Sequence, residues 1–279
     1  MNIAIVGLGL IGGSLARDLK SQINVKVIGV DANEAHQQMA VELGLVDEMV
    51  TLDRAIRQSQ VIVLAIPVDA IEKLLPELLN MIGDDQVITD VGSTKEFICQ
   101  SVENHPRRSR YVAAHPLAGT EYSGPKAAIS HLFVGKKNII CEKEKSAEDA
   151  LDLVERIFRS VGLTNLYMQP SDHDKHLAYV SHLSHVSSFM LGMTVLDIEK
   201  DESQIFNLAS TGFASTVRLA KSNPKTWSAI FAKNNEHLST ALGSYINYLQ
   251  KFKKAIDDKD LLMTEALMIE ANDIKKILS

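Results

Sequence analysis

Two periods divide the chain. Through residue 168, short runs of β-branched and aliphatic residues alternate with stretches in which apolar positions recur every three or four residues. The short runs are Ile3–Val6, Val25–Val30, Val61–Ala65, Gln86–Asp90, Tyr111–Ala114, Asn138–Cys141 and Asn165–Met168. Alternation of this kind predicts a parallel sheet covered by helices on both faces. After Gln169 the strand-like runs stop, and Pro170 followed by Ser171 and Asp172 reads as a helix start. From Asp172 to Ser279 the apolar period is helical throughout, as in Leu238, Leu242, Tyr245, Leu249 and Phe252. A doubly wound α/β domain over 1–169 and an all-α domain over 170–279 are therefore expected. The charged run Lys251–Asp260 reads as a connection between helices. The helical half carries more apolar stripe than so short a domain needs for itself, which predicts a homodimer through that half.

Composition narrows the function classes without naming one. The 279 residues are 46 % hydrophobic and 23 % charged, a globular balance, and the longest apolar runs, such as Val61–Ile66, are too short to cross a bilayer. The start lacks a basic leader and breaks into glycines, so it reads as mature protein. A formal charge of -6 excludes a broad basic surface for nucleic acid or acidic membranes, so an anionic ligand would need locally placed cations. Cys99 and Cys141 have neither metal-ligand spacing nor the density of a disulfide framework, which suits a reducing cytoplasm.

The first candidate chemistry lies at the start. Gly7-Leu8-Gly9-Leu10-Ile11-Gly12 follows the first predicted strand and opens a helix. In a Rossmann-type fold this turn lets a pyrophosphate approach the backbone and meet the helix N-terminus. Asp31 lies 19 positions after Gly12, at the end of the second predicted strand, where a carboxylate would accept hydrogen bonds from ribose hydroxyls. An acid there repels a ribose phosphate and no arginine follows it, so NAD is expected rather than NADP.

Two further segments end predicted strands, where open α/β sheets bind ligands. Thr89–Lys95 carries Ser93, and Ala114–Glu121 carries His115. A histidine beside a nicotinamide can take a hydroxyl proton while hydride departs. Ser93 could orient that histidine or the substrate, or simply cap the following helix. In the helical half, Ser171–His176 and Ser181–His185 place imidazoles at spacings that share a helix face. A zinc site is not expected there, because no cysteine or second acidic cluster completes a ligand set. Arg218 sits in a segment otherwise poor in charge, where a guanidinium invites a carboxylate or closes an intrachain ion pair.

Gly7–Gly12, Asp90–Lys95, His115–Gly124, Asp172–His176, Ser181–His185 and Gly212–Arg218 together resemble the prephenate dehydrogenase family, from residue 1 to about residue 250. The most specific string is His115-Pro116-Leu117-Ala118-Gly119-Thr120-Glu121, with Ser123-Gly124 after it. The resemblance implies NAD-dependent oxidation and decarboxylation of prephenate or its amino analogue arogenate, in tyrosine biosynthesis. It also implies that His115 takes the ring hydroxyl proton and that Ser93 fixes His115. Arg218 would bind a substrate carboxylate, and His182 and His185 would line the pocket. Many members have Arg-Asp where this chain has Ala214-Ser215, and the missing acid favours the keto substrate over the ammonium-bearing one. The chain stops soon after the helical half, so an appended regulatory domain or fused mutase is not expected. The rivals are a dehydrogenase of the hydroxyisobutyrate or ketopantoate reductase type, and a non-catalytic NAD sensor.

Overall fold

The computed structural model describes residues 1–199 and 210–276. Among the described residues there are eight strands, β1 (Asn2–Val6), β2 (Lys26–Val30), β3 (Glu48–Met49), β4 (Val61–Leu64), β5 (Val87–Asp90), β6 (Tyr111–Pro116), β7 (Lys137–Cys141) and β8 (Thr164–Met168). Between them lie α1 (Leu10–Gln22), α2 (Glu34–Glu42), α3 (Leu52–Gln58), α4 (Val68–Met81), α5 (Glu96–Ser101) and α6 (Glu148–Ser160). The described helices that follow are α7 (Pro170–Leu177), α8 (Leu183–Glu199), α9 (Thr211–Thr216), α10 (Pro224–Lys233), α11 (Asn235–Asp257) and α12 (Leu261–Ala271).

The strands form one sheet in the order β3-β2-β1-β4-β5-β6-β7-β8. Every neighbouring pair is parallel except β6 and β7, where His115 lies opposite Ile139. All seven expected strands are present. The eighth, β3, is two residues long, too short to carry a period. The reversal at β7 was also invisible in the pattern, since an apolar run reads the same in either direction.

Strand parity assigns the two faces. Ile3, Ile5, Val61, Val63, Val112 and Ala114 point into one apolar core, packed with α1 and α6. Ala4, Val6, Ile62, Leu64, Tyr111 and Ala113 point into the other, which also holds Leu177 and Ile230. By the same alternation His115 follows Tyr111 and Ala113, so it belongs to the face bearing α7 and α10. The sheet thus aims it at the first helices beyond residue 169.

The chain divides into two compact units, Met1–Asn234 and Asn235–Ser279. Secondary structure changes character at 169/170, whereas the break in packing falls later, because α7 and α10 are built onto the first unit's core. Proline at the first position of α7 starts that helix, as expected. A π-helical turn, Ala178–His182, joins α7 to α8. Such wide turns are concentrated at functional sites.

The second unit's described part is the helix pair α11 and α12, followed by a short 3-10 helix, Asn272–Lys276. The charged run 251–260 is not the connection it resembles. α11 continues through Asp257, with Lys253–Asp257 and Lys254–Asp258 ion pairs at helical spacing, each 2.5 Å. The link is Asp258–Asp260, and Asp260 caps α12 by accepting from Met263 N at 2.9 Å.

Candidate active site

The glycine turn is shaped by backbone contact. Gly7 has φ +96°, and a Cβ there would lie 2.4 Å from the Ala65 carbonyl oxygen. A Cβ on Gly12 would lie 1.9 Å from the Gly7 oxygen, so that glycine permits the close fit of helix to strand. Gly9 is different, since a Cβ there would meet nothing within 4 Å. Of the three, Gly9 alone faces open space, as a surface reserved for a ligand requires. It forms the N-cap of α1 without a side-chain cap, and no acid occupies the first turn. The N-terminal N–H groups and the positive end of the helix dipole, around Leu10 and Ile11, are thereby left for an anion.

Asp31 completes this end, and does more than its sequence position foretold. Its Oδ2 accepts from Leu8 N at 2.8 Å and its Oδ1 from Asn33 N at 2.9 Å. The carboxylate therefore ties β2 to the glycine turn, and each oxygen retains a lone pair for a ribose hydroxyl. His36 Nδ1 stands 3.6 Å from Oδ1. The open Gly9 surface, the uncapped helix end and the fixed acid fit a dinucleotide.

At the carboxyl end of β6, His115 is buried, and its Nδ1 lies 2.8 Å from His173 Nε2 on α7. The His173 Nδ1 lies 2.7 Å from Asp174 Oδ1. Asp174 also accepts from Lys95 N at 2.8 Å and Glu96 N at 3.0 Å, and so caps α5 from 79 residues away in sequence. The resemblance gave Ser93 the task of fixing His115, but the ring's hydrogen-bond partner is His173. Ser93 is half-buried in the loop after β5 and makes no hydrogen bond to His115 among the described residues. Nor does it cap α5, since Asp174 fills that place.

Beneath the cluster lies a fully buried ion pair of Lys95 with Asp90. Asp90 further accepts from the Tyr111 hydroxyl at 2.7 Å, Gly92 N at 2.9 Å and Ala114 N at 3.2 Å. Such a pair is tolerated in a core because the Asp90 oxygens are fully engaged by these further donors. It anchors the loop that carries Ser93 to the strand that carries His115.

Asn234, at the end of α10, donates its Nδ2 to the Asp174 carbonyl at 2.7 Å and contacts His182 Nδ1 at 3.0 Å. A carbonyl only accepts, so the amide nitrogen faces both groups and His182 Nδ1 is an acceptor. His182 Nε2 then carries the hydrogen, buried and without a partner among the described residues. His185 Nδ1 donates to the Ser181 carbonyl at 3.0 Å, and its ring stacks on Trp227 with centroids 3.3 Å apart. His182 and Trp227 meet edge to face. Arg218, half-exposed, donates to Glu121 Oε2 at 2.7 Å. The intrachain ion pair and the carboxylate-binding reading are compatible, because a guanidinium has five donors and Glu121 engages one edge.

Electrostatics favour neutral imidazoles. Burial pushes His115 well below 6.5, and the nearby His173, Lys95 and His182 add to the effect. Burial likewise lowers His173, against the opposing pull of Asp174. His182 is brought down to about 4 and His185 is lowered, both chiefly by burial. A neutral His115 is a proton acceptor at neutral pH.

Asn234 and Trp227 lie outside every segment that the sequence marked, while His173, Asp174 and Lys95 lie inside marked segments without a role of their own. The helical period held one signal: His173 and Asp174 fall in phase with the buried Pro170 and Leu177. Two polar residues on the inward stripe of a helix call for a buried partner.

A sheet with a dinucleotide cradle at one strand end and a buried, neutral histidine at another defines an oxidoreductase that works with a nicotinamide nucleotide. The family models make this specific. "Prephenate dehydrogenase, nucleotide-binding domain" matches residues 15–166, and "Prephenate dehydrogenase, dimerization domain" matches residues 169–268. The chain belongs to the prephenate dehydrogenase family. It is similar to a crystal structure of prephenate dehydrogenase from A. aeolicus in complex with hydroxyphenyl propionate and NAD+ (31 % identity, TM-score 0.90, 100 % of this chain and 98 % of that one). It is 30 % identical over 262 residues to a cyclohexadienyl dehydrogenase of Zymomonas mobilis (93 % of this chain, 89 % of the relative). A Synechocystis arogenate dehydrogenase structure matches at 27 % identity and TM-score 0.75 over the full length of both. The first family model starts beyond Gly12, so the case for the glycine turn rests on its own geometry. Among the described residues no helix is long and apolar enough to cross a membrane.

Proposed function

We propose that the chain oxidises prephenate to 4-hydroxyphenylpyruvate, releasing carbon dioxide and reducing NAD. The observation that carries this reading is that the glycine turn and His115 end strands running the same way in one sheet. β4 and β5 lie between them, so the two ends are three strand spacings apart, roughly 14 Å. NAD, when bound, supplies the hydride acceptor. Gly7 to Gly12 admit the phosphates and Asp31 accepts from the ribose.

His115 takes the proton of the ring hydroxyl while hydride leaves the same carbon. The resulting dienone loses its carboxylate to become aromatic, so the residues mainly position groups and meet developing charge. Arg218, held by Glu121, binds a substrate carboxylate. His182 offers its Nε2–H to a substrate oxygen, His185 on Trp227 lines the pocket, and Ser93 borders it on the nucleotide side. The ammonium group of arogenate would call for an acid; here Ser215 is neutral and Glu121 is already engaged by Arg218, which supports prephenate as the preferred substrate.

The division at 169/170 is then one of labour, cofactor before it and substrate binding and dimerisation after it. Exposed Leu249, Ile256, Leu261, Leu262, Met268 and Ile269 on α11 and α12 supply apolar surface for a second copy of the chain. Catalysis in the cytoplasm suits both the buried free cysteines and a diffusible substrate. Steady-state NADH formation with prephenate and arogenate tests the reading. A higher kcat/KM for prephenate is expected; a clear preference for arogenate overturns the substrate choice, and no NADH with either overturns the reaction.

A further inference from the structure

We propose that Asp174 and His173 are positioning residues that lock His115 in the tautomer bearing hydrogen on Nδ1, leaving the Nε2 lone pair as the proton acceptor. The inference rests on the reading of His115 as the base and assigns what makes it one.

The chain of contacts leaves little freedom. Asp174 accepts two backbone N–H groups, from Lys95 and Glu96, so its oxygens are oriented as acceptors. The group facing Oδ1 from His173 must then be a donor, which places the His173 hydrogen on Nδ1. A neutral imidazole carries one hydrogen, so His173 Nε2 is a lone pair. His115 Nδ1, 2.8 Å away, therefore donates to it. The remaining nitrogen of His115, Nε2, is left unprotonated. When the substrate hydroxyl proton moves to Nε2, the positive charge is shared through Nδ1–H with His173 and meets the Asp174 carboxylate one residue further along. The logic is that of a buried carboxylate fixing a catalytic histidine, with a second imidazole interposed.

The other charged or titratable groups facing this relay are Lys95 and Asp90 from β5 and its loop, His182 from the π-helical turn, and Cys141 from β7, whose thiol is pushed up to about 12 by burial. Lys95 and Asp90 neutralise each other. Asn234 holds the Asp174 carbonyl and gives His182 the opposite tautomer. One residue, Asp174, is thus the common anchor of an imidazole that accepts and an imidazole that donates.

The test is the protonation pattern of the ring nitrogens in the full-length protein, with and without NAD. It is read by long-range 1H–15N NMR after histidine labelling, with the His115 signals identified by their loss in His115→Asn. A protonated Nδ1 and bare Nε2 on His115 are expected, and the reverse pattern overturns the proposal. In kinetics, Asp174→Asn can keep its amide oxygen toward Lys95 N and His173 Nδ1, so the tautomer should hold, but the negative charge that meets the protonated relay is lost. kcat should fall about 100-fold or more with little change in NAD affinity. Because Asp174 also caps α5, a pair at position 173 guards against a folding defect. His173→Gln keeps an acceptor for Nδ1 and should retain turnover within about tenfold, whereas His173→Phe should lose as much as Asp174→Asn. The acid limb of kcat/KM should move in the Phe variant and stay in the Gln variant. Equal activity in the two variants removes the relay. If His115→Asn is inactive while Asp174→Asn and His173→Phe are not, the relay alone fails; if His115→Asn is fully active, the assignment of the base itself fails.

Discussion

The glycine turn and the histidine cluster end strands of the same sheet but are made of different material. The turn is backbone, assembled within the first 31 residues, and its specificity is steric: three missing side chains and one acid that braces the loop. The cluster is side chain, gathered from Lys95, His115, His173, Asp174, His182 and Asn234, and its specificity is the placement of hydrogens. The first kind of site binds whatever carries a pyrophosphate. On the proposed reading the second kind decides which proton moves, and it is there that a general dehydrogenase would be narrowed to one reaction.

Because the cluster stands on buried charge, changes there should be felt hardest by the fold. Lys95→Met leaves Asp90 without its counter-charge in the core and should cost about 3–5 kcal/mol, read as a lowered midpoint in chemical denaturation. A change below 1 kcal/mol would mean that the pair is not the cluster's foundation.

The same burial makes the cluster a pH liability. His115, His173 and His182 are held neutral in the fold, while in the unfolded chain they take up protons near pH 6.5. The unfolded state then binds more protons, so stability should decline as pH falls from about 6.5 toward about 4, by up to roughly 1.4 kcal/mol per pH unit for each histidine. Denaturation curves at successive pH values measure the slope. Replacing His182 with a neutral residue of similar volume should flatten it, and an unchanged slope would show that these rings are not the cause.

Arg218→Ala separates binding from packing, since this arginine is half-exposed and its known partner is Glu121. Loss of a charged hydrogen bond of about 1.5–3 kcal/mol should raise KM for prephenate about 10- to 100-fold, with kcat falling as well and thermal stability unmoved. Unaltered kinetics would reduce the pair to a surface ion pair.

At the turn, the comparison sharpens to a single methyl group. Gly9→Ala meets no protein atom, so the melting temperature should not change, yet NAD affinity should weaken about tenfold by isothermal titration. Gly12→Ala, which collides with the Gly7 carbonyl, should lower both. Unchanged NAD affinity in Gly9→Ala would move the cofactor away from this surface.

The same contrast explains what could be read from the residues. The turn is local, so Gly7, Gly9, Gly12 and Asp31 stand at fixed spacing and the strand before them is apolar throughout. Seven strands announced themselves in the same way. β3 did not, because Glu48–Met49 owes its strand geometry to β2 alone. The run at 251–260 misled because alternating charge describes both a loop and the solvated face of a helix, and the i,i+4 pairs decide for the helix. His115 in the cluster and Ser93 beside it were legible as residues at strand ends, but the partner of His115 lies 58 positions away on α7. Lys95 reads as an exposed charge until Asp90 is known to lie beside it. Long-range pairing of polar groups leaves no period along the chain, and so the relay through His173 and Asp174 emerges only in three dimensions.

The most direct measurement of the division between the two regions is made on one variant, His115→Asn, by determining prephenate-dependent kcat and NAD affinity on the same preparation. A fall in kcat of about 1,000-fold with NAD binding within about threefold of the unaltered chain is expected, because the base is gone and the cradle is untouched. Retained turnover, or a parallel loss of NAD binding, would contradict it.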